Sequence, residues 1–132
     1  MNYLFVLILM IFCHIVDDYY LQGWLASAKQ KQWWQDNAPQ ALYKYDYIWA
    51  LLMHSFSWSF MIMLPIAFFY NFEVSGVFGV VLLINAVIHA FVDNLKANAR
   101  VINLWVDQTC HMIQIAYTFW VFTGGYFYAA AA

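Results

Sequence analysis

The run Val74–Leu95, VSGVFGVVLLINAVIHAFVDNL, decides the fold class. It is apolar over about the 20 residues an α-helix needs to cross a bilayer core. Near its end, however, stand His89 and Asp93. Residues four apart share one helix face, so this run presents an imidazole and a carboxylate together. Working outward, the same spacing recurs in His14 with Asp18 and in Asp107 with His111, while His54 stands without an aspartate in a further apolar run. Imidazole with carboxylate is first-row metal chemistry, and ionisable groups at membrane depth mark function by default.

Composition agrees with a membrane chain. The 132 residues leave room for one domain, and 66% hydrophobic with 9% charged is not a soluble composition. Aromatics make up 22%, and the tryptophans and tyrosines cluster near segment ends, as membrane interfaces favour. A formal net charge of −2 with no basic stripe excludes nucleic-acid binding. Cys13 and Cys110 lie in apolar runs and read as small hydrophobes, not as a disulfide framework.

Apolar runs over about Asn2–Leu21, Ile48–Tyr70, Val74–Leu95 and Ile102–Tyr126 predict an all-α integral membrane four-helix bundle, a single transmembrane domain over residues 1–128. The first run could be mistaken for a signal peptide, because Leu25-Ala26-Ser27-Ala28 offers a small-residue cleavage site. It lacks a basic n-region, and His14, Asp17 and Asp18 interrupt it, so it reads as a retained span. Between spans one and two, Trp24, Trp33, Trp34, Tyr43, Tyr45 and Tyr47 mark an interfacial, aromatic-rich loop, broken at Pro39. A tight turn over Asn71–Ser75 joins spans two and three, and Pro65 is expected to kink span two. Ala129–Ala132 reads as a cloning scar.

Lys29, Lys31 and Lys44 fall in the first loop, and Lys96 and Arg100 in the third. All five cations therefore lie on one side, which the positive-inside rule makes cytoplasmic, with the termini outward. Alternating helix direction then brings His14, Asp18, His54, His89, Asp93, Asp107 and His111 to one depth near the inner leaflet. An aspartate at the centre of a span costs roughly 2.5–3.5 kcal/mol on insertion scales. Loop cations are expected to be too remote to neutralise the set. One or two divalent ions can, with zinc favoured over manganese or iron; magnesium and calcium prefer oxygen shells. Bundles build di-metal sites from inward carboxylates and histidines at such spacings. Asp17 and Asp107 are candidate bases. Gln22, Asn94 and Gln108 are candidates to orient the ligands, and Lys96 and Arg100 to hold an anionic headgroup beside them.

Other chemistries fit less well. Ser55, Ser57 and Ser59 lie near His54 without a nucleophile-elbow sequence, and no glycine loop cradles phosphate. The ordered set His14-Ile-Val-Asp-Asp18-Tyr-Tyr-Leu21-Gln22, Met53-His54, His89-Ala-Phe-Val-Asp93-Asn-Leu-Lys96 and Asp107-Gln108-Thr-Cys-His111 resembles a family of small bacterial and phage membrane proteins of unknown function. Its members carry HxxxDxxLQ, a lone histidine, HxxxDxxK and DQxxH segments. The set is also distantly similar to membrane-bound metal-dependent hydrolases. The resemblance implies a metal-dependent hydrolase, and a site at the inner interface suits a lipid-linked or interfacial substrate. Its rivals are a metal-stapled structural or partner-binding protein and a divalent-metal or proton transporter. Membrane lipids are the expected partners, and Gly- and Ser-containing helix faces suit a homo-oligomer or a membrane protein partner.

Overall fold

A computed structural model describes residues 2–124, and all regular structure within them is helical. The expected scar at 129–132 and the end of the fourth apolar run lie outside the described residues. Helix α1 (Tyr3–Ile15) passes into a π-helical turn (Val16–Leu21). Two short helices follow, α2 (Leu25–Ala28) and α3 (Lys31–Asn37), then a 3-10 turn (Ala41–Tyr43). The long helices α4 (Asp46–Phe69), α5 (Gly76–Ala97) and α6 (Leu104–Thr123) complete the chain.

Three of the four long helices have side-chain caps at their N-termini. Asn2 accepts from Leu4 N at 2.9 Å, Ser75 from Val77 N at 3.2 Å and Asn103 from Val106 N at 3.0 Å. Each such cap satisfies one of the orphan N–H groups of the first turn. Pro65 lies inside α4, which runs through it to Phe69. The turn between α4 and α5 is tight because Asn71 and Phe72 both adopt positive φ, 53° and 64°. Phe72 N closes it on Ala67 O at 2.8 Å.

Helical stretches at Tyr3–Leu21, Ala41–Phe69 and Gly76–Ala97 are long and apolar enough to cross a bilayer. Helix α6 is the least apolar of the long helices, since Asp107, His111, Gln114 and Thr118 occupy its buried face. The outer face of α5 shows the reverse pattern. Val80, Leu83, Val87 and Phe91 are exposed while Asn85, His89 and Asp93 are buried.

The core divides along the bundle axis. Away from the α2–α3 end it is a dry cluster that includes Val6, Met10, Ile62, Met63, Ile66, Ile115 and Phe122. Trp58, fully buried, belongs to this cluster and also touches the histidines beyond it. Because so large a side chain fills the centre, Trp58→Ala is expected to cost about 3–5 kcal/mol, read as a lowered unfolding midpoint in mixed micelles. Trp58→Phe should recover most of that loss.

The first loop is not a single surface segment. Trp24, Trp33 and Trp34 pack edge to face with centroids 5.0–5.9 Å apart, and Trp34 Nε1 donates to Ala28 O at 2.6 Å. Asn98, just past α5, pins the loop by accepting from Lys31 N at 2.7 Å and donating to Lys29 O at 3.1 Å. This folds α2 back beneath the bundle and carries Lys29 into its interior, where it is 8% exposed.

Candidate metal centre

Each long helix contributes one histidine, and the four meet where the C-terminal ends of α1 and α5 lie beside the N-terminal parts of α4 and α6. His14, His54, His89 and His111 are all at most 1% exposed. His89 stacks between Trp58 and His111, with centroids 4.1 and 4.3 Å away, and Trp58 Nε1 donates to His14 Nδ1 at 2.8 Å. The indole thus floors the cluster and fixes two rings at once.

The π-helical turn sets the carboxylates. An α-helix would point Asp17 and Asp18 in directions too divergent to share a small site; a π-type widening at this point changes the register locally, as such turns often do at functional sites. Both aspartates turn inward. Asp17 Oδ1 accepts from Ser57 Oγ at 2.7 Å, with Oδ2 3.7 Å from His54 Nδ1. Asp18 reaches three histidines: His54 Nε2 at 3.3 Å, and His14 Nδ1 and His111 Nδ1 each at 3.5 Å.

Three groups of side chains, His14–Asp18–His111, Asp18–His54–His89 and His89–Asp93–His111, have ligand atoms within 4.8 Å of one another and are able to hold a metal ion. Their spacing favours ligation over mutual hydrogen bonding. Tetrahedral ligands about 2.0–2.1 Å from zinc lie roughly 3.3 Å apart, whereas good hydrogen bonds are shorter. His54 Nε2 stands 3.3 Å from Asp18 Oδ1, 3.3 Å from Asp93 Oδ2 and 3.2 Å from His89 Nε2. One ring nitrogen cannot serve three such partners, and two facing imidazole nitrogens suit a shared cation. Asp18 Oδ1, His89 Nδ1 and His111 Nε2 are also buried without a hydrogen-bond partner, a state that otherwise carries a desolvation cost. The donor set therefore fits a divalent ion of the imidazole-accepting kind.

Asp107 and Asp93 depart from expectation. Their charges are met by lysine: Lys29 Nζ donates to Asp93 Oδ2 at 2.5 Å, and Lys96 Nζ to Asp107 Oδ2 at 2.7 Å. The loop cations were expected to be too remote, and the folded-back α2 is what brings Lys29 within reach. Asp107 belongs to none of the three groups; its Oδ1 lies 3.8 Å behind His111 Nε2. Asp17 stands in the same relation to His54.

The amides fall into two sets. Gln108 links the centre, with Oε1 3.1 Å from His14 Nε2 and Nε2 donating to Asp107 Oδ2 at 3.0 Å. Gln22 Nε2 lies 3.0 Å from His54 Nε2. Asn94 instead accepts from Asn98 at 3.0 Å, supporting the loop anchor, and has no contact with the histidines. Since partners that orient ligands are worth 10–100-fold in metal affinity, Gln108→Ala should weaken binding by roughly that factor, read by competition with a chromophoric chelator.

Lys29 and Trp58 were not legible as site residues. Nothing in spacing marks Lys29. A tryptophan at mid-span is a usable signal, because its N–H needs a partner when buried away from the interface. One helical turn deeper, Asn85, Gln114 and Thr118 form a further polar layer: Asn85 Nδ2 donates to Thr118 Oγ1 at 2.9 Å and Gln114 Nε2 to Asn85 Oδ1 at 3.0 Å. Cys13 and Cys110 are free, half-buried thiols.

On the other side Asp18 and Asp93 carry the cluster to the wall of a cavity of about 480 Å³, which Gln22, Lys29, Lys96 and Arg100 also line. No family model, curated protein or solved structure matches the chain.

Proposed function

We propose that this chain is a metal-dependent membrane hydrolase acting on a lipid-linked or interfacial substrate at the cytoplasmic leaflet. The observation that carries the reading is the buried cluster of four histidines and shared aspartates opening into a cavity at one end of the bundle. A staple needs no cavity, and a through-path would need to cross the apolar cluster around Ile62, Ile66 and Phe122.

The same reading makes α6 the fourth span, since its polar face is turned inward against α1 and α5. The exposed apolar face of α5 over a polar interior supports a bilayer setting, the inverse of a soluble bundle. The cations at the cavity end support a cytoplasmic orientation and a bacterial inner membrane. Zinc suits the imidazole-rich donors best.

Bound to these residues, a divalent ion would supply Lewis acidity and a water acidified towards neutral pH. The chain's own groups do the rest. Asp17 and Asp107, behind His54 and His111, hold those rings in orientation, as carboxylates do for ligating histidines. Proton acceptance at the cavity falls to whichever of Asp18 and Asp93, the aspartates that line it, does not hold the ion. Trp58 excludes water from below.

A second reading, a metal that only staples the bundle, is favoured by one observation: all four long helices converge on the site. A screen of metal-loaded protein against phospholipids, lipid phosphates and lipid-linked esters and amides separates the two. Turnover that disappears in a folded Asp93→Asn protein supports the hydrolase. No cleavage in any class, with unfolding on metal removal, supports the staple.

A further inference from the structure

We propose that the cavity beside the histidine cluster is a binding site for a phosphate monoester group, held by Lys29, Lys96 and Arg100, and that it becomes competent only when metal has taken Asp93 from Lys29. The proposal rests on the metal centre described above and names the substrate class of that site.

Three of the chain's five basic residues line this one cavity. Two are engaged, Lys29 with Asp93 and Lys96 with Asp107, while Arg100 makes no ion pair among the described residues. Arg100 also sits at φ 55°, a left-handed conformation disfavoured for a residue with a Cβ, immediately beyond the end of α5. That corner is locked by Ala99 N on Asn94 O and Val101 N on Leu95 O, both at 3.0 Å, so the guanidinium is delivered to the cavity by a closed turn.

Charge decides the ligand. The cavity walls carry Asp18 and Asp93 against Lys29, Lys96 and Arg100. With Lys29 spent on Asp93, there is little positive charge to spare. A divalent ion held by His89, Asp93 and His111 competes with Lys29 for the same carboxylate and frees its ammonium into the cavity. An ammonium, a guanidinium fork and a metal then face one space, which suits a doubly charged phosphate and leaves cations unpaired around a neutral or zwitterionic group. Gln22 and Gln30 line the same wall, with their amide nitrogens directed to His54 Nε2 and Ala26 O. Tyr19 and Leu104, both more than half exposed at its mouth, are placed to meet either an acyl chain or water.

The test is calorimetry on protein in phosphatidylcholine nanodiscs, first with zinc and then with inorganic phosphate after removal of free metal. The expected result is phosphate binding to zinc-loaded wild type and none to the zinc-free protein, with zinc and phosphate raising each other's affinity by the same factor. Arg100→Gln should weaken phosphate at least about 10-fold while leaving zinc binding unchanged. Lys29→Met should weaken phosphate similarly; if that variant does not fold, Arg100→Gln alone carries the test. Phosphate binding unaffected by Arg100→Gln, or equal with and without zinc, overturns the inference while leaving the metal centre standing. Failure to bind zinc overturns both. Doping the nanodiscs with phosphatidic acid identifies the source: abolished phosphate heat assigns the site to a lipid headgroup, and undiminished heat assigns it to a water-soluble monoester.

Discussion

Asp18→Asn leaves the purified protein with clearly less metal than wild type, which retains about one or two equivalents by elemental analysis. Asp18 belongs to two of the three ligand groups, His14–Asp18–His111 and Asp18–His54–His89, and so is the carboxylate most shared between them. Loss of a partner that merely orients a ligand costs 10–100-fold in affinity, so loss of a shared ligand should cost about 100-fold or more. The substitution preserves volume and can still hydrogen-bond the neighbouring imidazoles, which separates ligation from packing. Helix content by circular dichroism should be unchanged. The His89→Ala, Asp93→Ala double variant should behave alike, because it removes the other carboxylate and one of the two histidines common to two groups. Full metal retention in Asp18→Asn would confine any bound metal to the His89–Asp93–His111 group or to residues outside the three groups.

The second large effect runs in two directions at once. Lys29→Met should destabilise the metal-free protein by about 3–5 kcal/mol, the cost of leaving a buried carboxylate without its partner. Asp93 is 2% exposed and Lys29 8%, so water does little to screen the loss. The same substitution should tighten metal binding, since zinc no longer displaces an ammonium from Asp93 Oδ2. Thermal unfolding with and without zinc reads both: the variant melts well below wild type when metal-free, and zinc closes most of the gap. A variant as stable as wild type without metal would show that the Lys29–Asp93 pair contributes nothing net, as some buried pairs do. Methionine suits this test because it keeps the aliphatic stem that packs beneath the bundle.

Both outcomes bear on how charge is tolerated here. The interior holds Asp17, Asp18, Asp93 and Asp107, of which two meet lysines and two do not. Asp17 has Ser57 as a hydrogen-bond donor, and Asp18 has only imidazoles and a long contact to Gln108. The residual charge is thus concentrated on the aspartate that lies among three histidines, where a divalent ion neutralises most.

How much of this was legible follows from the range of the forces involved. The helical class, the apolar lengths and the pairing of His14 with Asp18, His89 with Asp93 and Asp107 with His111 are properties of single segments. A helix period fixes which residues share a face, and hydropathy fixes which segments want to leave water, whatever the rest of the chain does. Alternating helix direction then suffices to carry every histidine towards one end. The sequence by itself determined that much. Only the tertiary structure decided that Asp17 turns inward with Asp18, because a π-helical turn has no spacing signature and persists where packing against α4 rewards it. Only the tertiary structure made Trp58 the floor of the site, placed Lys29 on Asp93 across 64 positions of chain and left Asp107 behind His111 instead of among the ligands. The aromatic packing of the first loop is local, among Trp24, Trp33, Trp34 and Tyr43. Its long-range anchoring by Asn98 selects the arrangement that buries a cation against the carboxylate that attracts it.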